Sequence, residues 1–107
     1  MRTLYHPETE QIELQHVFYA LSEPIRFTIV LQLMDASELS CGGFELALPK
    51  STLSHHFKVL RESGVIRTRL EGTQRFISLR TMDLESRFPG LLKVIRESAA
   101  GNVAHEA

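Results

Sequence analysis

The stretch Leu48–Ile66, LPKSTLSHHFKVLRESGVI, decides the fold of this chain. Its apolar side chains recur at i, i+4 and i+7, the spacing of one face of an α-helix: Leu53, Phe57 and Leu60. Gly64 follows, and glycine often ends a helix in a left-handed conformation. The stretch therefore predicts a helix over about residues 51–63, with Val65 packing back on Leu60.

Two further helices are predicted before this one. IELQHVFYALS places four apolar residues on one expected core-facing side: Leu14, Val17, Phe18 and Leu21. EPIRFTIVLQLMDA starts with Pro24 near a first helical position and is nearly all apolar, which predicts a helix that runs through the core. SELSCGGFELAL leaves room only for a short helix, expected around Phe44 to Leu48.

After the deciding helix the pattern changes to that of strands. VIRTRL and RFISLR are rich in β-branched and apolar residues, and they flank EGTQ, which contains a glycine suited to a tight turn. Residues 65–80 thus predict a β-hairpin that carries arginines. DLESRFPGLLKVIRESA predicts a short turn after Thr81, a break at Pro89 and a final helix.

Length and composition bound the class of protein. The 107 residues fit one domain, residues 1–107, and 43% apolar with 23% charged residues is typical of a folded chain. The start, MRTLYHPE, and the tail from about residue 100 look loose. No apolar run approaches the ~20 residues of a membrane span, so we expect no membrane partner and a cytoplasmic location. Cys41 is the only cysteine, which excludes an intrachain disulfide.

Charge is unevenly distributed along the chain. Residues 50–80 hold seven basic and two acidic side chains, a net charge of +5, whereas the remainder has five basic and eleven acidic side chains, a net charge of −6. A basic block of this kind is either an ordinary solvated face or a surface for nucleic acid. It becomes informative because it coincides with the predicted helix and hairpin.

The order of elements predicts a mainly α winged helix-turn-helix protein with a β-hairpin wing. A helix that reads the major groove needs short polar side chains on its outer face and an apolar anchor on the other. The predicted DNA-binding residues are Lys50, Ser51, Thr52, Ser54, His55, His56 and Lys58 on the helix, and Arg67, Arg69, Gln74 and Arg75 on the hairpin. Hydroxyl groups, lysines and backbone N–H groups at a helix start suit phosphate oxygens.

These residues carry a resemblance to a known family. KSTLSHHFKVLRESGVIRTRLEGTQRFISL resembles the recognition helix and wing of the ArsR/SmtB transcriptional repressors, and ALSEPIRFTIVLQL resembles an earlier helix of that family. The resemblance spans about residues 14–80 and loosely the last helix. It implies a winged-helix homodimer whose first and last helices form the interface, an operator of imperfect two-fold symmetry, and release of DNA when an effector binds.

The histidines do not predict a metal site. His55 and His56 point about 100° apart on a helix, so one metal ion cannot use both without other partners. We expect His55 to face outward towards DNA, and His56 to be chiefly a half-buried packing group that reaches at most a phosphate. His6 and His16 are expected to be exposed surface residues.

The resemblance also directs attention to two metal sites of the family, and this sequence departs from both. ELSCGGF offers Cys41 alone where one site uses a Cys-x-Cys pair, and the region that matches the other site has no histidine before His105 in the tail. We therefore predict no metal and no cofactor, and the effector stays unknown.

The predicted function is a DNA-binding transcriptional regulator, a repressor that binds double-stranded DNA as a homodimer. No converging set of nucleophile, base and oxyanion donors is visible, which argues against an enzyme. Two alternatives remain: a winged-helix module that binds other proteins, which would have lost its basic residues, and a DNA-binding switch that responds to thiol chemistry or metal through Cys41.

Overall fold

The computed structural model describes residues 4–44 and 46–105, and it describes side chains as far as residue 100. The elements within these ranges are α1 Leu14–Leu21, α2 Pro24–Met34, β1 Leu39–Ser40, α3 Lys50–Glu62, β2 Ile66–Glu71, β3 Gln74–Leu79, α4 Thr81–Arg87 and α5 Leu91–His105. Single turns of 3-10 helix lie at Thr9–Gln11 and Cys41–Gly43.

The end of α3 has the geometry that the sequence predicted. Gly64 has a φ of +91°, and its N–H donates to the carbonyl of Arg61 at 3.1 Å, while the N–H of Val65 donates to the carbonyl of Leu60 at 3.0 Å. These two bonds form a Schellman motif, in which a left-handed residue satisfies the last helical carbonyls. A Cβ at Gly64 would lie 2.6 Å from Cγ1 of Ile12, so the position is also closed to larger residues by packing.

The predicted hairpin is present and is part of a larger sheet. β2 and β3 pair antiparallel in a register from Ile66 opposite Leu79 to Glu71 opposite Gln74. Gly72 has a φ of +61° at the first central position of the turn, as a type II′ turn requires. The sequence did not predict β1, which adds a third strand on the outer edge of β3.

The core lies between α2, α3 and the inner face of the sheet. α2 runs through it as expected. α1 differs from its prediction: Val17 and Ala20 are fully buried, but Leu14 is 38% and Phe18 is 54% exposed. The four apolar residues are not all buried, because α1 contacts the core through the face that carries Val17 and Ala20. Leu14 and Phe18 lie to one side of that face.

The expected short helix around Phe44 to Leu48 is wrong for the residues described there. Phe44 and residues 46–48 have no helical backbone, and the N–H of Leu46 donates to the carbonyl of Phe44 at 3.0 Å. Paired glycines precede the segment, and Leu48 precedes Pro49, a position from which the α conformation is disfavoured. Phe44 is nevertheless buried, with its ring 5.2 Å from that of Phe57.

The start of the chain is docked rather than loose over the described residues. The carbonyl of Tyr5 accepts a hydrogen bond from Nε of Arg61 at 3.1 Å, and the carbonyl of Pro7 accepts one from Nη1 of Arg80 at 2.8 Å. At the other end, α5 keeps helical backbone through His105, and residues 106 and 107 of the expected loose tail lie outside the described residues.

The short turn expected after Thr81 is wrong, because these residues form the two-turn helix α4. The final helix follows the break at Pro89 as expected, with Gly90 at a φ of +92° before α5. No single helix in the described ranges has the length and apolarity to cross a membrane. α1 and α2 meet those criteria only when taken together, and they are bent by 102°.

Candidate nucleic-acid interface

The outer face of α3 presents the polar side chains that the sequence predicted. Five of them are exposed: Lys50, Ser51, Ser54, His55 and Lys58. Thr52 is half-buried, and the opposite face is anchored by the buried Phe57 and Leu60. The first turn contains no acidic residue, so its N–H groups and Lys50 give the start of the helix a positive electrostatic character.

His56 has a different environment from its neighbour. Its residue is 9% exposed, its Nδ1 lies 3.2 Å from Nη1 of Arg26, and its Nε2 lies 3.5 Å from Oε2 of Glu23. A guanidinium has only donors, so Nη1 donates to Nδ1 and the proton of a neutral ring is on Nε2, facing Glu23. His56 thus ties α3 to the start of α2. This geometry supports the packing role of His56 and not a contact with DNA.

The four predicted wing residues are all exposed, but one of the arginines is engaged in the fold. Arg69 donates to both carboxylate oxygens of Glu38 and to Glu71, and its guanidinium lies 4.6 Å from the centre of the Phe76 ring. The hydrogen bond from Arg69 lowers the pKa of Glu38. Arg69 is therefore less available for DNA than a count of charges suggests.

Arg67 and Arg75 are more available than Arg69. Arg67 lies 3.6 Å from Asp83 with a side chain that is 57% exposed, and Arg75 makes no ion pair with any described residue. Gln74 is exposed beside Arg75 at the start of β3. The tip of the wing thus presents a guanidinium and an amide to solvent.

Two of the seven basic residues of the block serve the core instead of the surface. Arg61 is 9% and Arg80 is 5% exposed, and both hold the N-terminal segment through its backbone carbonyls. Arg80 also donates to Asp83 at 2.9 Å. The net charge of +5 therefore overstates the positive charge of the candidate interface.

A groove brings residues of the helix and the wing together. It lies between the start of α3, residues 40–44 and 46, and the hairpin, and has a volume of about 660 Å³. Four of the predicted residues line it: Lys50, Ser54, Gln74 and Arg75. The other predicted residues lie outside the groove, elsewhere on α3 or on β2.

Cys41 also lines this groove and is half-buried. Burial is the main influence on its thiol and raises its pKa, against a smaller opposing effect of Arg75. A thiol with a raised pKa is a weak nucleophile and a weak metal ligand. Among the described residues, no three histidine, cysteine, aspartate or glutamate side chains are grouped so that they can hold a metal ion.

His6 and His16 differ from each other. His16 is exposed, as predicted. His6 is not a simple surface residue: its Nε2 accepts a hydrogen bond from the N–H of Thr68 at 3.0 Å, and its Nδ1 lies 3.1 Å from the carbonyl of Leu4. Burial, opposed by the bond to Leu4 and supported by nearby Arg61, lowers the pKa of His6. The neutral ring therefore joins the N-terminal segment to the wing.

A polar-faced helix anchored in the core, next to a basic antiparallel hairpin, defines a winged-helix DNA-binding transcriptional regulator. Residues 23–68 match the family model described as "Bacterial regulatory protein, arsR family". The chain is 38% identical over 89 residues to the HTH-type transcriptional regulator YceK of Bacillus subtilis, covering 80% of this chain and 88% of that protein. It belongs to the arsR family.

Solved structures agree with this assignment. The transcriptional repressor BigR from Xylella fastidiosa is 31% identical with a TM-score of 0.58, over 70% of this chain and 85% of that one. Reduced HlyU from Vibrio cholerae is 30% identical with a TM-score of 0.57, over 69% of this chain and 86% of that one. The similarity covers the winged-helix fold, and the relatives are regulators rather than enzymes.

Proposed function

We propose that this chain is a sequence-specific repressor that binds an inverted-repeat operator as a homodimer. The observation that carries the proposal is the shared groove, which is lined both by Lys50 and Ser54 of α3 and by Gln74 and Arg75 of the wing. With α3 in the major groove, the wing lies along the adjacent backbone, where arginine binds phosphate or the minor groove. Repressors among the relatives support the direction of regulation.

Exposed apolar residues support the homodimer. Phe18 is 54% and Tyr19 is 64% exposed on α1, and Val94 is 62% exposed on α5. Large apolar side chains on the two helices that flank the domain suit a second copy of the same surface. Two-fold symmetry would place the reading helices about one DNA turn apart, ~34 Å, and so require an operator with two half-sites. The cytoplasm is the compartment that this function requires.

A protein-interaction module is a weaker candidate. Such a module has no need of cations at the start of α3 and at the wing tip, where Lys50, Lys58 and Arg75 are exposed. The thiol switch is also weaker, because burial raises the pKa of Cys41 and so favours the less reactive protonated form.

The proposal is tested by selecting genomic fragments that the purified protein retains at moderate salt and then measuring affinity for a selected fragment against salt concentration. Arg75→Ala should weaken binding to all sequences and reduce the slope of log K against log salt by about 0.9, the value for one phosphate contact. Arg96→Ala is the matched control, since Arg96 is an exposed arginine on α5 that contacts Asp35. Its slope should equal that of the wild type.

Sequence preference is tested on the helix. Ser54→Ala and His55→Ala should change the order of preference among operator variants. The reason is that these side chains face outward from the part of α3 that would enter the major groove of DNA. If these variants and Arg75→Ala all bind the selected fragment as the wild type does, helix and wing are not the interface. Cys41→Ser tests the thiol alternative. If Cys41 is the switch, this variant should lose any response of DNA binding to oxidant.

A further inference from the structure

The groove between α3 and the wing has the size and lining of a small-molecule site. Its volume of about 660 Å³ falls within the range of roughly 300–1,000 Å³ that is typical of ligand pockets. Apolar side chains form much of its lining: Phe44, Leu46, Leu53, Phe57 and Ile77. Phe44 and Phe57 are 7% exposed and pack on each other, so this part of the wall is held in place by the core.

The charged residues of the lining favour a ligand of negative charge. Lys50 of α3 and Arg75 of β3 both border the groove and are exposed, and Arg61 also borders it. None of the described lining residues is a carboxylate. An anionic group is therefore favoured between Lys50 and Arg75, because both side chains donate charged hydrogen bonds.

One buried polar group of the lining has no partner among the described residues. Thr68 borders the groove and is 8% exposed, and its Oγ1 is inaccessible to solvent and makes no hydrogen bond. A buried hydroxyl without a partner costs about 1–3 kcal/mol, and few native groups are left in this state. A change of χ1 to another staggered rotamer would turn this hydroxyl towards the groove, where a polar atom of a ligand would be its hydrogen-bond partner.

We propose that this groove binds a small organic acid, and that its occupation prevents DNA binding. The apolar body of the acid packs against Leu46, Leu53 and Phe57, and its anionic group lies between Lys50 and Arg75. The regulatory half of the inference rests on the proposed function, because it requires the same two cations to bind DNA phosphates. Acid and DNA then compete directly, and no conformational change has to connect them.

The experiment uses 1-anilinonaphthalene-8-sulfonate, an aromatic body with one anionic group, as the probe. Binding to the full-length protein is followed by fluorescence, and its location by shifts of backbone amide resonances. Shifts should centre on Leu53, Ser54 and Ile77. Arg75→Ala should weaken binding about tenfold, as expected for one charged hydrogen bond, whereas the matched Arg96→Ala should leave it unchanged.

Thr68→Val tests the hydroxyl without involving the residues proposed to contact DNA. Valine keeps the shape of threonine and removes the unpartnered oxygen, so thermal stability should be kept or raised. Weaker probe binding by about fivefold, with operator affinity unchanged, supports the inference. If the variant folds and binds the probe as the wild type does, Thr68 is not part of the ligand site, and this result contradicts the inference.

Competition provides the second readout. Adding the probe should release a labelled operator fragment from the wild type. Shifts that centre on α1 or α5, or no shifts at all, overturn the ligand site. If the amide resonances of the groove shift but the DNA fragment is not released, the claim that the bound acid prevents DNA binding is overturned. Failure of the protein to retain any DNA fragment would refute the proposed function alone, since probe binding is measured in the absence of DNA.

Discussion

Nη1 of Arg26 lies 3.2 Å from Nδ1 of His56, so a guanidinium of α2 holds an imidazole of α3. Arg26 is 5% exposed, and its Nε donates to the carbonyl of Ala20 at the end of α1 at 2.7 Å. Through His56 the contact reaches Glu23, whose other oxygen accepts from the N–H of Ile25 and caps α2. Three helices thus meet at one charged cluster, which fixes the orientation of α3 around its own axis.

Replacing His56 by alanine should therefore destabilise the fold. The change leaves the buried Arg26 and the buried Oε2 of the half-exposed Glu23 without their shared partner, and loss of one partner of a buried hydrogen bond costs about 1–3 kcal/mol. Urea unfolding measures the loss. The neighbouring His55→Ala is the matched control and should stay within about 0.5 kcal/mol of the wild type, because His55 is exposed. Equal effects of the two changes would contradict the assignment of the cluster.

His6 should make stability depend on pH. Burial lowers its pKa in the folded protein, so the unfolded chain, with an ordinary value of about 6.5, takes up a proton more readily. The contribution of His6 is then complete above about pH 6.5 and is lost as the pH falls through the lowered folded value. Protonated Nε2 also cannot accept the hydrogen bond from Thr68.

The check compares urea midpoints of the wild type and His6→Ala from about pH 8 to about pH 5. The difference between them should be largest at the alkaline end and shrink on acidification. The same comparison with His16→Ala is the control, since His16 is exposed. A difference between wild type and His6→Ala that stays constant, or grows in acid, would be incompatible with a neutral His6 in the fold.

Glu38→Gln should increase affinity for DNA. Both carboxylate oxygens of Glu38 accept hydrogen bonds from Arg69. The change to glutamine weakens these hydrogen bonds and removes a negative charge beside the wing. We expect tighter binding with a salt slope steeper by up to about 0.9. Glu85→Gln makes the same change of charge at an exposed position on α4 and should give a smaller effect. Equal effects would mean that overall charge, not release of Arg69, is responsible.

Gly64→Ala should be strongly destabilising. A side chain at a φ of +91° costs about 1–2 kcal/mol in backbone energy, and the added Cβ meets Ile12 at 2.6 Å. A total loss of about 2 kcal/mol or more is expected in urea unfolding. Gly42→Ala is the control, because its φ is not left-handed and its Cβ meets nothing within 4 Å. A Gly64→Ala protein as stable as the control would exclude the close approach of Ile12.

Phe18→Glu should dissociate the proposed homodimer, because it places a charge in an apolar contact. Size-exclusion chromatography with light scattering measures the mass directly. Met82→Glu introduces the same charge at a residue on α4 that is 86% exposed, and it should leave the mass unchanged. A wild-type protein that is monomeric at all concentrations would refute the dimer and with it the two-half-site operator.

The residues of α3 and of the wing were predictable because their signals are local. The i, i+4, i+7 apolar spacing and Gly64 define α3, and Gly72 between two β-branched runs defines the hairpin. β1 was not predictable, because two residues carry no periodicity and pair only once β3 is in place. The short helix expected at Phe44 to Leu48 is absent from the described residues of that segment, because Pro49 disfavours the α conformation at Leu48.

Sequence alone determined the class of fold and the order of its elements, since spacing, glycines and turn residues act within a few positions along the chain. Tertiary structure decided what each charged residue does. Arg26, Arg61 and Arg80 are buried against backbone carbonyls, whereas Arg75 reaches solvent. Burial depends on residues distant in sequence, such as Tyr5 for Arg61, and no local pattern distinguishes an arginine that supports the core from one that faces solvent.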